Sequence, residues 1–259
     1  MTQMSRPRFA LFNTEERVIH SESVGQDFQI GVWLPFGYAG SDEMYSVLYV
    51  PDGEFAFGLA TSLIPTLIGT GEVPNMLVVG IAYHAIADWQ EHGILRDRDM
   101  CPPGFQSSPA ESRIDLFSSF FRKELFPLVE ADYRGSPSDR TLFGFSAGGL
   151  FALHTLLTQP GMFRRYIAAS CTWSGADEYL LNCEQAYALQ SVHLPTDLYL
   201  AVGGLEKDQM LGFERLVETL QERNYHHLRL FTQVLAGEKH SAGVLAKTFL
   251  YGMRAVWAP

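Results

Sequence analysis

The sequence has 259 residues, 47 % of them hydrophobic, and a formal net charge of −10. This composition is too apolar for a disordered chain, and its acidic balance argues against a nucleic-acid partner, which would require clustered Lys and Arg. The length suits one large domain or two small ones, and we predict a single domain over residues 1–259. No apolar run approaches the roughly 20 residues of a membrane span, and the N-terminus lacks a signal-peptide core, so we expect no membrane partner and a cytoplasmic location.

The cysteine pattern indicates neither a disulfide framework nor a metal site. Cys101, Cys171 and Cys183 form no CxxC pair, and their odd number rules out complete pairing. We therefore expect three thiols in a reducing compartment, with no metal and no cofactor. The sequence leaves the oligomeric state open.

The first third of the chain is rich in predicted strands. Residues 15–21 and 27–34 indicate a β-hairpin around a Val24-Gly25 turn. Residues 75–83 are continuously apolar, which is typical of a strand buried on both faces. The remaining predicted elements here are a strand at 46–53 and a helix at 57–69, somewhat broken by Pro65.

The middle of the chain is predicted to be less regular. Residues 84–109 contain no clear element, and structureless stretches of this length are often functional. Residues 111–133 return to helical spacing, with a kink or break expected at Pro127.

The last part alternates between strands and helices. Strands are predicted at 141–145, 166–171, 197–202 and 228–235, helices at 147–158, 210–223 and 244–257, and an irregular insert at 172–195. Together with the leading hairpin, this order predicts an α/β fold. Its central sheet is mostly parallel, with a leading antiparallel hairpin and helices on both faces.

A serine framed by glycines marks the end of one predicted strand. The segment Gly144-Phe145-Ser146-Ala147-Gly148 is a G-x-S-x-G pattern between an apolar strand and an apolar helix. Such a turn holds the serine in strained geometry with its hydroxyl exposed above the sheet, and glycines avoid a collision of the flanking backbones. We interpret Ser146 as a nucleophile and the Ala147 N–H as an oxyanion donor.

A serine nucleophile needs a base, which follows the acid in chain order in folds of this kind. His240 follows the last strand and therefore lies at the same sheet edge as Ser146, where open α/β sheets place their sites. His193, His226 and His227 fall at the opposite edge. We predict that His240 is the base.

The acid should follow the preceding strand, in the segment GGLEKDQ. Glu206 comes directly after the two glycines and is preferred, Asp208 is the alternative, and a solvated helix start without a catalytic role is the third possibility. The second oxyanion donor should follow an earlier strand, where the backbone N–H of Gly53 or Glu54 is a candidate and a plain turn is the alternative.

Several segments together resemble a known family. From about residue 15 onward, SVLYVPDG, VVGIAY, ILRDRDMCPP, FFRKELFPLVEADY, RTLFGFSAGGLFAL, VGGLE and GEKH occur in the order seen in the esterase D-like "putative esterase" family. That family includes siderophore esterases, feruloyl esterases, S-formylglutathione hydrolases and mycolyltransferases. The resemblance implies an α/β-hydrolase fold and acyl-ester chemistry, with Ser146 as nucleophile, His240 as base and Glu206 at the position of the acid.

Candidate substrate-binding residues lie in the two irregular stretches. Arg96 and Arg98 could bind a substrate carboxylate, or could form an internal network with Asp99. Trp89 and Trp173 could line a pocket, or could be ordinary loop packing. With Met100 and Phe105 they suggest an apolar wall and a preference for a bulky or aromatic acyl group.

The sequence supports three function classes. The first is a serine carboxylic-ester hydrolase that acts on a small-molecule ester through an acyl-enzyme. The second is an acyltransferase that uses the same acyl-enzyme, since the difference depends on the exclusion of water. The third is a non-catalytic binding module, because a fold does not by itself imply an activity.

Overall fold

A single eight-stranded sheet runs through the computed structural model, which describes residues 10–105 and 111–258. The strands are β1 (Thr14–Ser21), β2 (Gln26–Trp33), β3 (Tyr45–Val50), β4 (Met76–Tyr83), β5 (Gly135–Phe145), β6 (Arg165–Ala169), β7 (His193–Gly203) and β8 (His226–Leu235). Their spatial order is β1-β2-β4-β3-β5-β6-β7-β8. β1 and β2 pair antiparallel with each other, β2 pairs antiparallel with β4, and all other pairs are parallel. The predicted sheet is confirmed.

Helices cover both faces of this sheet. They are α1 (Gly53–Gly69), α2 (Trp89–Met100), α3 (Ile114–Phe120), α4 (Phe126–Tyr133), α5 (Ala147–Thr158), α6 (Ala176–Ala188), α7 (Lys207–Arg223) and α8 (Ala242–Trp257). One core cluster lies beneath α1 and α8, and the other lies beneath α3, α5, α6 and α7. The alternation of strand and helix therefore places the carboxyl ends of β3, β5, β6, β7 and β8 at one edge.

The two stretches predicted as irregular each contain a helix, so those predictions are wrong. α2 begins after Asp88, whose carboxylate accepts hydrogen bonds from the N–H groups of Gln90 and Glu91. Its buried residues are His92, Asp99 and Met100, so it lacks the apolar stripe that sequence periodicity detects. The second helix, α6, starts after Gly175, which has a φ of 90°. Residues 106–109 of the first stretch lie outside the described residues.

The two prolines predicted to disturb helices differ in their effect. α1 begins at Gly53, four residues before the predicted start, and continues through Pro65 to Gly69. Pro127 lies near the start of α4, directly after a π-helical turn that interrupts the helical segment, so the break predicted there is found. The irregularity precedes it, as a π-helical turn at Phe121–Leu125.

The structure bears on two further expectations. Within residues 10–105 and 111–258, no helix is both long enough and apolar enough to cross a bilayer. Cys101, Cys171 and Cys183 are all free thiols, and the first two are buried. The single domain and the cytoplasmic location remain predictions.

Candidate active site

Ser146 lies in the tight turn between β5 and α5. Its backbone has φ 59° and ψ −124°, a left-handed conformation that a residue with a side chain adopts only under constraint. Two hydrogen bonds of 2.9 Å hold it, from the Ser146 N–H to the Ala169 carbonyl and from the Leu150 N–H to the Ser146 carbonyl. Hydrogen bonds to β6 and to α5 therefore hold the Ser146 backbone in this strained conformation.

The glycines on either side of Ser146 permit this turn. A side-chain carbon on Gly144 would overlap the carbonyl of Gly148, so the strand end and the helix start touch through backbone alone. A side-chain carbon on Gly148 would lie 2.7 Å from Oδ2 of Asp52. The spacing of the G-x-S-x-G pattern therefore reflects two separate close approaches.

His240 lies between β8 and α8, at the same sheet edge as Ser146. Its ring packs against Phe145, with the ring centroids 4.7 Å apart, and its side chain is 44 % exposed. Its Nδ1 lies 3.6 Å from Oε1 of Glu206 and 3.2 Å from Nε2 of Gln209. Ser146 and His240 line the same two cavities.

In the described part of the chain no direct hydrogen bond joins the Ser146 hydroxyl to His240. Catalytic hydrogen bonds are often long in free enzymes and shorten when substrate binds.

Glu206, rather than Asp208, faces His240. The Glu206 side chain is buried, and its Oε1 accepts a 2.9 Å hydrogen bond from the Ser170 hydroxyl. Its other oxygen, Oε2, is buried and has no hydrogen-bond partner among the described residues. Asp208 is exposed in the first turn of α7. The geometry favours Glu206 as the partner of the histidine.

Gln209 is a neighbour of His240 that the sequence analysis missed. Its Oε1 accepts a 3.3 Å hydrogen bond from the Thr172 N–H, so its Nε2 is the atom that donates to Nδ1 of His240. Gln209 stands three residues after Glu206, and both occur in GGLEKDQ. A polar side chain one helical turn after the predicted acid was the sequence signal for this contact.

The other downstream histidines lie at the opposite sheet edge, as predicted. His193 begins β7 and is paired with His226 at the start of β8. The rings of His193 and His226 are 4.9 Å apart, and His227 stacks nearby.

Arg96 joins the turn after β3 to the turn after β5. Its guanidinium donates two hydrogen bonds to Asp52, of 2.6 and 2.9 Å, and a third of 2.9 Å to the Phe145 carbonyl. Burial lowers the pKa of Arg96, but the charge and hydrogen bonds of Asp52 outweigh burial and hold that pKa above its usual value. Arg96 is therefore a fixed cation beside Ser146.

Arg98 is occupied elsewhere. Its guanidinium donates hydrogen bonds of 2.7 and 2.8 Å to the fully buried Asp99, which also accepts one from the Tyr83 hydroxyl. Arg98 therefore belongs to the internal network with Asp99, which was the alternative to substrate binding. The structure does not bring Arg98 together with Ser146.

Two cavities meet at Ser146. The first, here called the apolar chamber, has a volume of about 350 Å³ and is walled mainly by Val50, Phe55, Ala56, Phe143 and Leu245. The second, here called the polar chamber, has about 340 Å³ and is walled by Asp97, Cys101, Phe105, Trp173, Asp208 and Gln209. Arg96, Ser146 and His240 belong to both.

The predicted pocket residues are divided between these cavities. Trp173 and Phe105 line the polar chamber. Trp89 is 67 % exposed and stacks on Phe55 with ring centroids 5.3 Å apart, so it extends the rim of the apolar chamber. Met100 is fully buried in the core and is not a pocket wall.

The predicted oxyanion donors lie at the starts of two helices, α1 and α5. Ala147 is the first residue of α5, so its N–H has no partner within the helix, and it lines the polar chamber. Gly53 and Glu54 line a different cavity of about 730 Å³. The Glu54 carboxylate accepts a 2.7 Å hydrogen bond from the Tyr83 N–H. Asp52 and Phe55, on either side of these two residues, line the apolar chamber with Ser146, and the role of Gly53 or Glu54 as the second donor remains a prediction.

A parallel sheet covered by helices, with a strained serine at a strand–helix turn, defines an α/β-hydrolase fold. The chain belongs to the family described as "Putative esterase", whose model matches residues 21–240. It is 28 % identical to the ferri-bacillibactin esterase BesA of Bacillus subtilis, over 83 % of this chain and 78 % of that protein.

Two further relatives point the same way. The siderophore enterobactin esterase of Emericella nidulans is 32 % identical over 55 % of this chain, and the match spans only about half of that enzyme. The crystal structure of the BES protein from Bacillus cereus superposes with a TM-score of 0.85 at 26 % identity, covering 99 % of both chains. The chain is a carboxylic-ester hydrolase.

The close approach at Gly144 predicts a large effect of a single methyl group. We expect Gly144→Ala to lower the free energy of unfolding by at least about 2 kcal/mol, because the added carbon overlaps backbone that cannot move aside. Gly58→Ala is the matched control, since nothing lies within 4 Å of its added carbon inside α1, and it should stabilise by up to about 1 kcal/mol. Urea unfolding would measure both, and equal effects would contradict the account of the turn.

The contrast between Glu206 and Asp208 gives a second prediction. We expect Glu206→Gln to lower kcat/KM for ester hydrolysis roughly 10²–10⁴-fold, since the neutral amide cannot stabilise the imidazolium. Asp208→Asn should change it less than threefold, because Asp208 is exposed. Steady-state kinetics on p-nitrophenyl acetate would test this, and the reverse order would move the acid to Asp208.

Proposed function

We propose that this protein hydrolyses small carboxylic esters through an acyl-enzyme on Ser146. The observation that carries the proposal is the strained Ser146 in a cavity wall shared with His240, which in turn faces the buried Glu206. These are the three roles of a serine nucleophile, a general base and an orienting acid.

The proposed reaction has two halves. In the first, Ser146 Oγ attacks the ester carbonyl carbon while His240 takes the hydroxyl proton; the bond to the alcohol oxygen then breaks, and His240 returns the proton to the departing alcohol. In the second, a water molecule gives a proton to His240 and attacks the acyl carbon; the bond to Ser146 Oγ then breaks, and His240 returns the proton to Oγ, which releases the acid and restores the serine. Glu206 stabilises the imidazolium formed in each half.

Oxyanion stabilisation is assigned to the N-terminus of α5. The Ala147 N–H and the helix dipole favour negative charge there. The N–H groups of Gly53 and Glu54 remain a prediction for the second donor.

The proposed substrate is a siderophore-type ester. Support comes from the similarity to BesA, which is described as a ferri-bacillibactin esterase and matches over most of both chains. Hydrolysis is favoured over transfer to another alcohol because the polar chamber includes the exposed Asp208, which gives water a route to the acyl carbon.

Removal of the nucleophile tests the proposal directly. Ser146→Ala should lower kcat on the order of 10⁶-fold, because the remaining site lacks the attacking oxygen. His240→Ala should have a comparable effect, and His226→Ala, at the far edge of the sheet, should have none. Initial rates on p-nitrophenyl acetate suffice, and turnover by Ser146→Ala within tenfold of the parent would refute the assignment.

A covalent probe separates the serine from the nearby thiol. Burial raises the pKa of Cys101 to about 12, so this thiol stays protonated and unreactive at neutral pH. A fluorophosphonate should therefore add one label per chain, on the peptide that contains Ser146, and abolish hydrolysis. Iodoacetamide should leave activity unchanged; inactivation by iodoacetamide with no phosphonate label would assign the nucleophile to a cysteine.

A further inference from the structure

We propose that Gln209 is a positioning residue that sets the tautomer of His240 and thereby holds the free site in a resting state. This role rests on the proposed acyl-enzyme mechanism, in which His240 must accept the proton of Ser146. The observation behind it is a buried amide whose Nε2 lies 3.2 Å from Nδ1 of His240, closer than Oε1 of Glu206 at 3.6 Å.

Two hydrogen bonds from Thr172 fix Gln209 in one orientation. The Thr172 N–H donates to Oε1 of Gln209 over 3.3 Å, and the Thr172 hydroxyl donates to the main-chain carbonyl of Gln209 over 2.9 Å. Further along α7, a side-chain carbon added to Gly212 would lie 2.3 Å from the Thr172 carbonyl oxygen, so helix and loop are in close contact. An inverted amide would set two N–H groups against each other at Thr172. The Gln209 amide is therefore a fixed donor, and the residue is only 4 % exposed.

His240 is the less constrained partner of this contact. Its side chain is 44 % exposed, and it lies in the turn between β8 and α8, which contains Gly237 at a φ of 75°. A neutral imidazole has one donor nitrogen and one acceptor nitrogen, and the hydrogen bond at one of them decides the state of the other. Because Gln209 donates to Nδ1, the proton of the neutral ring is on Nε2.

A ring that carries its proton on Nε2 cannot act as the base at that nitrogen. Nε2 must accept the Ser146 proton, and in this tautomer Nε2 is itself a donor. Catalysis needs the proton on Nδ1, where Glu206 can accept it, so the contact with Gln209 must first be given up. The Gln209 hydrogen bond thus stabilises the free enzyme but not the transition state, and it lowers kcat/KM by that difference.

The size of this effect is set by the net strength of one hydrogen bond. A neutral hydrogen bond that is exchanged for contacts with water changes an equilibrium roughly two- to tenfold. We therefore expect Gln209→Met, which keeps the length of the side chain but cannot donate, to raise kcat/KM for p-nitrophenyl acetate by a factor in that range. Replacement of a residue that only supports the fold would lower the rate instead.

Nitrogen-15 NMR of the imidazole nitrogens reads the tautomer directly, because a protonated and an unprotonated ring nitrogen have different chemical shifts. In the intact protein at about pH 8, where histidine is ordinarily neutral, the His240 signals should show an unprotonated Nδ1 and a protonated Nε2. Their assignment follows from their absence in His240→Ala. Gln209→Met should move the proton to Nδ1.

A second variant and a control keep this test decisive. Gln209→Glu retains an acceptor for the Thr172 N–H and replaces the donor at Nδ1, so it should also place a proton on Nδ1 even where Gln209→Met fails to fold. The matched control is Gln221→Met, at an exposed position on the same helix, and it should change neither the tautomer nor kcat/KM.

Two results would overturn the role of Gln209. One is a proton on Nδ1 of His240 in the intact protein, and the other is a folded Gln209→Met variant in which the tautomer is unchanged or kcat/KM does not rise. Failure of the proposed function itself looks different, because the tautomer would still follow Gln209 while the Ser146→Ala variant retained the hydrolysis of p-nitrophenyl acetate.

Discussion

The geometry of the candidate site depends on the contact between the end of β5 and the start of α5. Gly144 and Gly148 meet there through backbone atoms, and Gly149 in turn approaches the Ala169 carbonyl of β6. This crowding leaves Ser146 in a left-handed conformation, held by hydrogen bonds to β6 and to α5. The cost of such a conformation, about 1–3 kcal/mol, persists only because the surrounding structure over-determines it. The result is a hydroxyl presented at the sheet edge and a helix N-terminus directed at the same place.

A second constraint ties this turn to the rest of the edge. Asp52 follows β3, its carboxylate lies against Gly148, and Arg96 of α2 clamps that carboxylate and the Phe145 carbonyl together. The pair is largely buried, so removal of one partner would leave an uncompensated charge, which typically costs about 3–5 kcal/mol. Arg96 thus acts mainly by linking the ends of β3 and β5. It also lines both the apolar and the polar chamber.

The parts of this arrangement that the sequence predicted are those with a local signature. The sheet and its flanking helices followed from alternating apolar runs, and the serine turn followed from glycine spacing around Ser146. The α2 helix was missed because few of its side chains are buried and its start depends on the Asp88 cap. The apolar chamber was also missed, since Val50, Phe143 and Leu245 look in sequence like ordinary core residues. Their role depends on which strand ends and helix starts meet in space, and that is decided by tertiary packing.

Two side chains compete for Nδ1 of His240, and the proposed mechanism requires one of them to give way. Nδ1 has two neighbours, and they require opposite states of the ring: the Gln209 amide donates to a bare nitrogen, whereas Glu206 needs an N–H to accept. The amide cannot turn over without losing the Thr172 N–H that its oxygen accepts. The proposed role of His240 as a base therefore requires the ring to leave Gln209 and move towards Glu206, which places the proton on Nδ1 and frees Nε2 for Ser146.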